Sequence, residues 1–532
     1  TEDRRQRTEA FDGGISGRQT DNRRQITENG SRKHPVSRIG GQASNIQHPE
    51  TVNRRSDIGT RFSDLIETTE KISKTTAEAH QKFLDFSTEI TRNYSKTFAL
   101  QTELLEHAIS RSEEPIPPSL RGGSPYGPYG PEAAFRIPHS KPAFSRQDCL
   151  EFATGSVARV LGPKFAVVDT YPARVRLPDE PLMLVDRILS VQGKKGSLGP
   201  GRIVTEHDVL PGAWYLDGGH APVCISVEAG QADLFLCAYL GIDLAVKGKR
   251  TYRLLDAAVK FHREMPLPGE TIRYEIEISK FMRQGDTYLF LFSFNGFIGD
   301  TPFITMTDGC AGFFTEEEVK NSGGIILTGD DNQHVAGKKP SDWKPLVTLD
   351  KESYDDSAVE ALRTGNAAGC FGKAFAGITL PDSLRLPGGR MKLIDRIIDL
   401  DPDGGRYGLG MIQAESDIHA DDWFLTCHFV DDMVMPGTLM YECCAHTLRV
   451  LMQRMGWVTD KPGVYYAPVV GVPSILKCRG PVTPETRHVH YEVEVREFGY
   501  GPQPYVIADA HMYADGDRIV RFKNMSMQMS GI

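Results

Sequence analysis

A chain of 532 residues, 40% hydrophobic and 25% charged, exceeds what one core organises, so its length sets an expectation of about two to four structural units. A net charge of −9 argues against nucleic acid as the general partner. Nine cysteines without a CxxC pair or a zinc-like Cys/His spacing fit a reducing compartment and imply no metal site. No stretch approaches the roughly 18 uninterrupted apolar residues of a membrane span, and the Arg-rich N-terminus has no apolar signal core, so a soluble, cytoplasmic chain is expected. It opens on Thr1, as would a piece of a longer polypeptide or a processed terminus.

Residues 1–60 are rich in Arg, Asn, Gln, Ser and Gly, and this composition cannot bury enough apolar surface to offset ordering entropy; a disordered linker is expected. Over 61–110, Phe62, Ile66, Phe83, Ile90, Tyr94 and Leu104 recur at helical spacing without Pro or Gly, which predicts a long amphipathic linker helix. Pro115 to Pro118 and the Gly/Pro/Tyr run from Gly122 to Pro131 break it, so 111–134 is read as a second linker.

From about Phe135 the sequence repeats itself. Leu177-Pro178 and Leu184-Val185-Asp186-Arg187-Ile188 return as Leu386-Pro387 and Leu393-Ile394-Asp395-Arg396-Ile397, and the same offset of 209 carries Trp214 onto Trp423. Farther on, Arg263 and Pro268 correspond to Arg479 and Pro484 at an offset of 216, so the first copy is seven residues shorter between its Trp and its Arg. Each copy has an apolar helical stretch (Ala229 to Leu240; Cys443 to Met455), then strand runs: Thr271 to Ile278, Tyr288 to Phe294 and Pro302 to Met306 in the first, His488 to Val495, Pro504 to Ala510 and Arg518 to Phe522 in the second. A helix followed by antiparallel strands predicts an α+β unit in which a curved sheet wraps a central helix, and two copies predict an intramolecular pseudo-dimer. The boundaries expected are 135–319 for the first copy, 320–344 for a polar, Gly-rich linker, and 345–532 for the second copy, which opens on a helical segment around Ser357 to Ala376.

Within the second copy stand His428, Phe429, Val434, Met435, Pro436, Gly437, Leu439 and Glu442. This pattern resembles the active-site signature of the hotdog-fold 3-hydroxyacyl-acyl-carrier-protein dehydratases. A dehydratase-like hotdog behind a degenerate copy and a linker helix looks like the tandem pseudo-dehydratase/dehydratase region of polyunsaturated fatty acid synthases and related iterative polyketide synthases. The resemblance implies a double hotdog, dehydration of 3-hydroxyacyl thioesters to 2-enoyl thioesters during chain elongation, double-bond isomerisation as an extension, and a substrate carried on the phosphopantetheine of acyl carrier protein. It implies neighbouring synthase domains as partners and no cofactor bound by the chain itself. Two departures stand out: Asp432-Met433 replaces the usual Asp-Pro, and His446 takes the place, four residues after the acid, that Gln often holds.

The chemistry explains these residue types. Removing a weakly acidic α-proton suits a neutral imidazole with an ordinary pKa of about 6.5, the role of His428. The enolate-like oxygen needs a preorganised donor, which the Gly437 amide at a helix start provides; Pro436-Gly437 is expected to make a tight turn, and Phe429 and Val434 to help position the substrate. The departing hydroxyl needs a carboxyl group, either Glu442 or its counterpart in the first copy. In the dehydratases resembled, base and acid come from different hotdogs, which implies Glu228 opposite His428, at the start of its own apolar helix, with Gln231 and Asp233 as lesser candidates. His220 stands eight residues before Glu228, whereas His428 stands fourteen before Glu442, so the two histidines are not equated.

His207, His419 and His446 are read as surface or packing residues, Leu439, Met440 and Tyr441 as core, and the paired Asp186-Arg187 and Asp395-Arg396 as a repeated structural device. Two further readings are a hotdog thioesterase, in which a carboxylate activates water, and a noncatalytic docking or scaffold module suited to the degenerate copy and the long helix.

Overall fold

Residues 141–532 are described by the computed structural model; the linkers expected over 1–60 and 111–134 and the helix expected over 61–110 lie outside the described residues. The apolar and alternating runs form strands. In the first half these are β1 (Arg187–Gly193), β2 (Gly201–Asp208), β3 (Thr251–Phe261), β4 (Thr271–Gln284), β5 (Thr287–Ile298) and β6 (Thr301–Phe314). The second half supplies β7 (Arg396–Asp401), β8 (Met411–Asp417), β9 (Tyr465–Ala467), β10 (Ser474–Cys478), β11 (His488–Gly499), β12 (Tyr505–Ala514) and β13 (Asp517–Ser530).

With the short strands Phe144–Ser145 and Glu352–Tyr354 at its ends, one antiparallel sheet of 15 strands runs β1-β2-β4-β5-β6-β3-β10-β13-β12-β11-β8-β7, and β9 pairs with β13 off this path. The order reads the same from either end about the β3–β10 seam. There Val259 pairs with Ser474, Ala258 with Ile475, Ala257 with Leu476 and Asp256 with Lys477. Arg479 reaches back over the seam to both carboxylate oxygens of Asp256, at 3.0 and 3.2 Å. Thus the two halves share one hydrogen-bond ladder as well as an apolar interface.

Each half wraps its sheet around a central helix, the α+β double hotdog expected, but the two helices differ. In the second half α3 (Gly437–Arg454) is continuous, and every residue after Gly437 is buried. In the first half the helix expected over Ala229 to Leu240 begins only at Asp233, as α2 (Asp233–Leu240), and a separate helix α1 (Val223–Glu228) precedes it. At the break, Gly230 packs so close to the sheet that a Cβ there would meet the Phe294 ring at 2.8 Å and Tyr274 at 3.0 Å. Tyr274 donates its hydroxyl to the Ser226 carbonyl at 2.7 Å, which satisfies a backbone acceptor at the broken end. The apolar stretch Val223–Leu240 has the length and composition of a membrane-crossing helix, yet it is the almost wholly buried core of this half.

The segment expected to be helical around Ser357 to Ala376 forms two short helices, Asp356–Arg363 and Ala367–Phe371, and a 3₁₀ turn, Gly372–Phe375. After the helix Glu316–Lys320, the polar segment lies along the second half. Ile325 donates to the Arg518 carbonyl, Gly337 to that of Tyr407, and Lys338 to that of Arg496. Trp343 then stacks on Phe498. The repeated Asp-Arg pairs do equivalent work in both halves. Asp186 accepts the Asp208 amide and Asp395 the Asp417 amide, while Arg187 grips Asp208 and Arg396 grips Asp417.

Candidate active site

His428 follows the short helix Trp423–Cys427 and is buried at the junction of the halves. The loop after it closes on itself: Val434 donates its amide to the His428 carbonyl at 2.8 Å, and His428 Nδ1 lies 2.8 Å from the Val434 carbonyl. A carbonyl only accepts, so Nδ1 carries the proton and the lone pair of the neutral ring is on Nε2. Nε2 faces Glu228 Oε1 at 3.7 Å. Phe429 packs against the imidazole, ring centroids 3.9 Å apart, and exchanges backbone hydrogen bonds with Asp432 across a tight turn.

Glu228 is the last residue of α1, which corrects the expectation that it begins an apolar helix; the helix break follows it directly. Its second oxygen, Oε2, accepts the Thr438 hydroxyl at 2.6 Å. Thr438 is the second residue of α3, so the opposite half holds the carboxylate while its free oxygen looks at the base. The sequence offered no sign of this residue, since its partner lies 210 positions away.

Pro436 is the residue before α3, with extended backbone, and Gly437 is the first helical residue. The expected turn at Pro436-Gly437 is therefore a helix start, and Gly437 is not in the left-handed region. A Cβ at Gly437 would meet only Leu254 Cδ2, at 3.8 Å, so glycine here leaves space in front of the first amides of α3. Those amides have no intrahelical acceptor and sit at the positive end of an 18-residue helix. Gly437 and Thr438 open onto a cleft of about 510 Å³, walled by Val227, Leu254, Val259, Phe261, Tyr441 and Phe522 and other mostly apolar side chains from both halves. Leu439, Met440 and Tyr441 are buried core residues as expected, and Tyr441 also lines this cleft with its ring against Phe522.

The loop between His428 and Pro436 is clamped by the first half. Asp432 takes both terminal nitrogens of Arg253, at 2.5 and 2.9 Å. Asp431 accepts from Arg176 at 2.8 Å and from Arg174 at 3.2 Å. Arg176 is 1% exposed and also donates to the Phe152 and Gly155 carbonyls. Asp432, the residue of this pair that keeps the usual motif, thus serves as an anchor, and the departure is confined to Met433.

Glu442 does not join this group. Its Oε2 accepts the Cys224 amide at 3.0 Å, and its Oε1 stands 3.5 Å from His446 Nε2. Cys224 and Glu442 occupy, 214 residues from Thr438 and Glu228 respectively, the mirrored places of that pair. On this mirrored face the shortened loop makes a tight Asp217–His220 turn, with Gly218 and Gly219 in the left-handed region. Gly218 is pressed against Tyr465 and Ser383, and His220 stacks on the Tyr465 ring at 3.7 Å. Its Nδ1 lies 3.0 Å from the Gly218 carbonyl, two residues back, where His428 Nδ1 meets the Val434 carbonyl six residues ahead.

Gln231 lies on the cleft wall, and Asp233 is wholly buried, with burial pushing its carboxyl well above the usual range. His207 is buried between Asp186 and the Tyr215 hydroxyl, and His419 is exposed. The arrangement that results is an imidazole with a defined lone pair and a carboxylate 3.7 Å away, the carboxylate bonded to Thr438, which with Gly437 lines the apolar cleft.

A family model described as a FabA-like domain matches residues 177–306 and again 386–523. One of the polyunsaturated fatty acid synthase subunits of Thraustochytrium sp. (strain ATCC 26185 / S-3) is 34% identical over 378 residues, covering 69% of this chain and 25% of that protein. The present chain therefore spans about a quarter of that relative's length. Among solved structures, the dehydratase domain from the CurJ module of the Curacin polyketide synthase aligns with a TM-score of 0.33 at 8% identity, over 64% of this chain and 96% of that one. The dehydratase domain of RzxB from Pseudomonas fluorescens aligns with a TM-score of 0.32 at 12% identity, over 65% and 98%.

Proposed function

The chain belongs to the FabA-like family, with two copies of that domain in tandem, and from this premise we propose that it dehydrates 3-hydroxyacyl thioesters to 2-enoyl thioesters at a single site, His428 with Glu228. The observation that carries the reading is the Nδ1 lock to Val434, which leaves the Nε2 lone pair facing Glu228. In the proposed reaction His428 Nε2 takes the α-proton, the C–H electron pair becomes the new C=C bond, and the C–O bond to the 3-hydroxyl breaks. Glu228, entering as the acid, gives its proton to the departing hydroxyl, which leaves as water. The thioester oxygen, which gains negative charge as the α-proton leaves, is held by the first amides of α3, with the helix dipole behind them. Transfer of the captured proton from His428 to Glu228, across the 3.7 Å that separates them, resets both groups. The elimination is redox-neutral overall and asks for no electron-carrying cofactor.

The substrate in this reading is held on the phosphopantetheine arm of acyl carrier protein, within a fatty-acid or polyketide synthase whose neighbouring domains are further partners. Support comes from the name of the Thraustochytrium relative, which is part of a polyunsaturated fatty acid synthase, and from the apolar cleft. The test is mass analysis of carrier-bound 3-hydroxyacyl substrates of several lengths after incubation with the chain. Loss of water that disappears with His428→Ala is expected. Release of the free acid would indicate a thioesterase, and a product profile unchanged by His428→Ala would indicate a noncatalytic scaffold; either overturns the proposal.

A further inference from the structure

The mirrored face holds a second group of polar side chains for which dehydration has no use. Asp217 from the shortened loop and Glu442 and His446 from α3 each bring one ligating atom within 4.8 Å of the others. His446 is 0% exposed, and among the described residues neither of its ring nitrogens has a hydrogen-bond partner. A buried polar group left unpaired costs about 1–3 kcal/mol, so an imidazole orphaned on both nitrogens points to a partner other than the surrounding protein groups.

The geometry identifies the class of that partner. His446 Nε2 and Glu442 Oε1 are 3.5 Å apart, close to the roughly 3.4 Å between two ligands each about 2.1 Å from a tetrahedral zinc ion. Arg449 grips Asp217, with Nη1 3.0 Å from Oδ1 and Nη2 on Oδ2, and so fixes that carboxylate. Two carboxylates and one guanidinium leave a net negative charge for a dication to offset. One imidazole with two carboxylates favours zinc over the oxygen-seeking magnesium and calcium.

We propose that Asp217, Glu442 and His446 form a divalent cation site, with zinc as the preferred ion, which ties the two halves together on the face opposite the His428–Glu228 pair. The site accounts for His446 in place of the usual Gln. In the first half the position mirrored by His446 is Ala232, so only one face carries the imidazole.

The experiment is titration of the chelator-stripped chain with zinc chloride, followed by calorimetry and thermal unfolding. One equivalent bound with a raised Tm is expected. Loss of even an outer partner of a metal ligand costs at least tenfold in affinity, so His446→Ala should weaken zinc binding by more than about tenfold. His511→Ala, in the separate Glu492/Glu494/His511 cluster on β11 and β12, should leave it unchanged. Wild-type protein that binds no zinc, binding that survives His446→Ala, or binding lost with His511→Ala overturns the proposal. Should His446→Ala not fold, the cobalt-substituted wild type decides: intense visible bands of four-coordinate cobalt with nitrogen and oxygen ligands support the site, and their absence overturns it.

Discussion

The Thr438 hydroxyl and the Glu228 carboxylate are joined by a 2.6 Å hydrogen bond that crosses between the halves, and its mirror image is the 3.0 Å bond from the Cys224 amide to Glu442. Both acids are therefore held by the second residue of the opposing helix. Only Glu228 has a histidine of the His428 kind before it. The expected kinetic consequence is asymmetric: Glu228→Gln lowers the dehydration kcat by at least about 100-fold, as expected for loss of a general acid. Glu442→Gln leaves it within a few-fold. Comparison of the two purified variants on one carrier-bound substrate checks this, and the reverse ordering would sink the cross-half pairing.

Thr438→Val removes the hydroxyl without changing the shape of the side chain. A hydrogen bond to a charged group contributes about 1.5–3 kcal/mol, so kcat should fall roughly 10- to 100-fold. Thr438→Ser should recover most of the rate. A Thr438→Val kcat within a few-fold of wild type, or no rescue by Thr438→Ser, would mean that Thr438 only packs.

Asp432→Asn breaks the bidentate grip of Arg253 on the loop that carries His428. The loop then loses its fixed offset from Glu228, so kcat should drop with KM little changed. Replacing both residues in exchange, Arg253→Asp with Asp432→Arg, should restore part of the loss in a double-mutant cycle. Arg176 lies deeper; without it Asp431 keeps only Arg174 and the Phe152 and Gly155 carbonyls lose their donor, which should lower stability by about 1–3 kcal/mol. Urea unfolding of Arg176→Ala measures that.

Asp243 supplies a pH signature. Burial pushes its carboxyl up from an ordinary value near 3.8 to about 7, against the pull of the Val175 amide, Arg176 and Arg174. Between these two values the folded chain holds a proton that the unfolded chain has released. Stability therefore declines as pH rises from about 4 to about 7, and the decline stops above that. Asp243→Asn should remove this slope and raise the Tm at pH 8 relative to wild type; parallel Tm–pH curves for the two proteins would refute the assignment.

The second-half motif was legible because base, helix start and acid stand within fifteen residues. Glu228 could be reached through the repeat, although the lost loop residues blurred its alignment. What escaped was whatever depends on the other half. Thr438 looks like any helix N-terminal threonine until its partner is known, and Arg174, Arg176 and Arg253 share no pattern along the chain. The broken first helix was hidden for a different reason: its residues are mostly apolar with no proline among them, so the pattern reads as one helix, while Gly230 at the break lies against Phe294 and Tyr274. Tyr441 is buried in the core as its helical spacing suggests, but spacing does not report that it also faces a cleft.

The ladder between β3 and β10 has a consequence for how the two faces can diverge. In a pair of identical chains each substitution arrives twice, so an improvement to one pocket is imposed on its twin. Here the seam that would join two molecules lies within one chain, and a change at Glu228 leaves Glu442 untouched. Covalent union thus releases each face from copying the other: one can keep its acid and base while the opposite face keeps an acid, Glu442, beside a tight Gly-Gly turn, a stacked histidine and a buried imidazole.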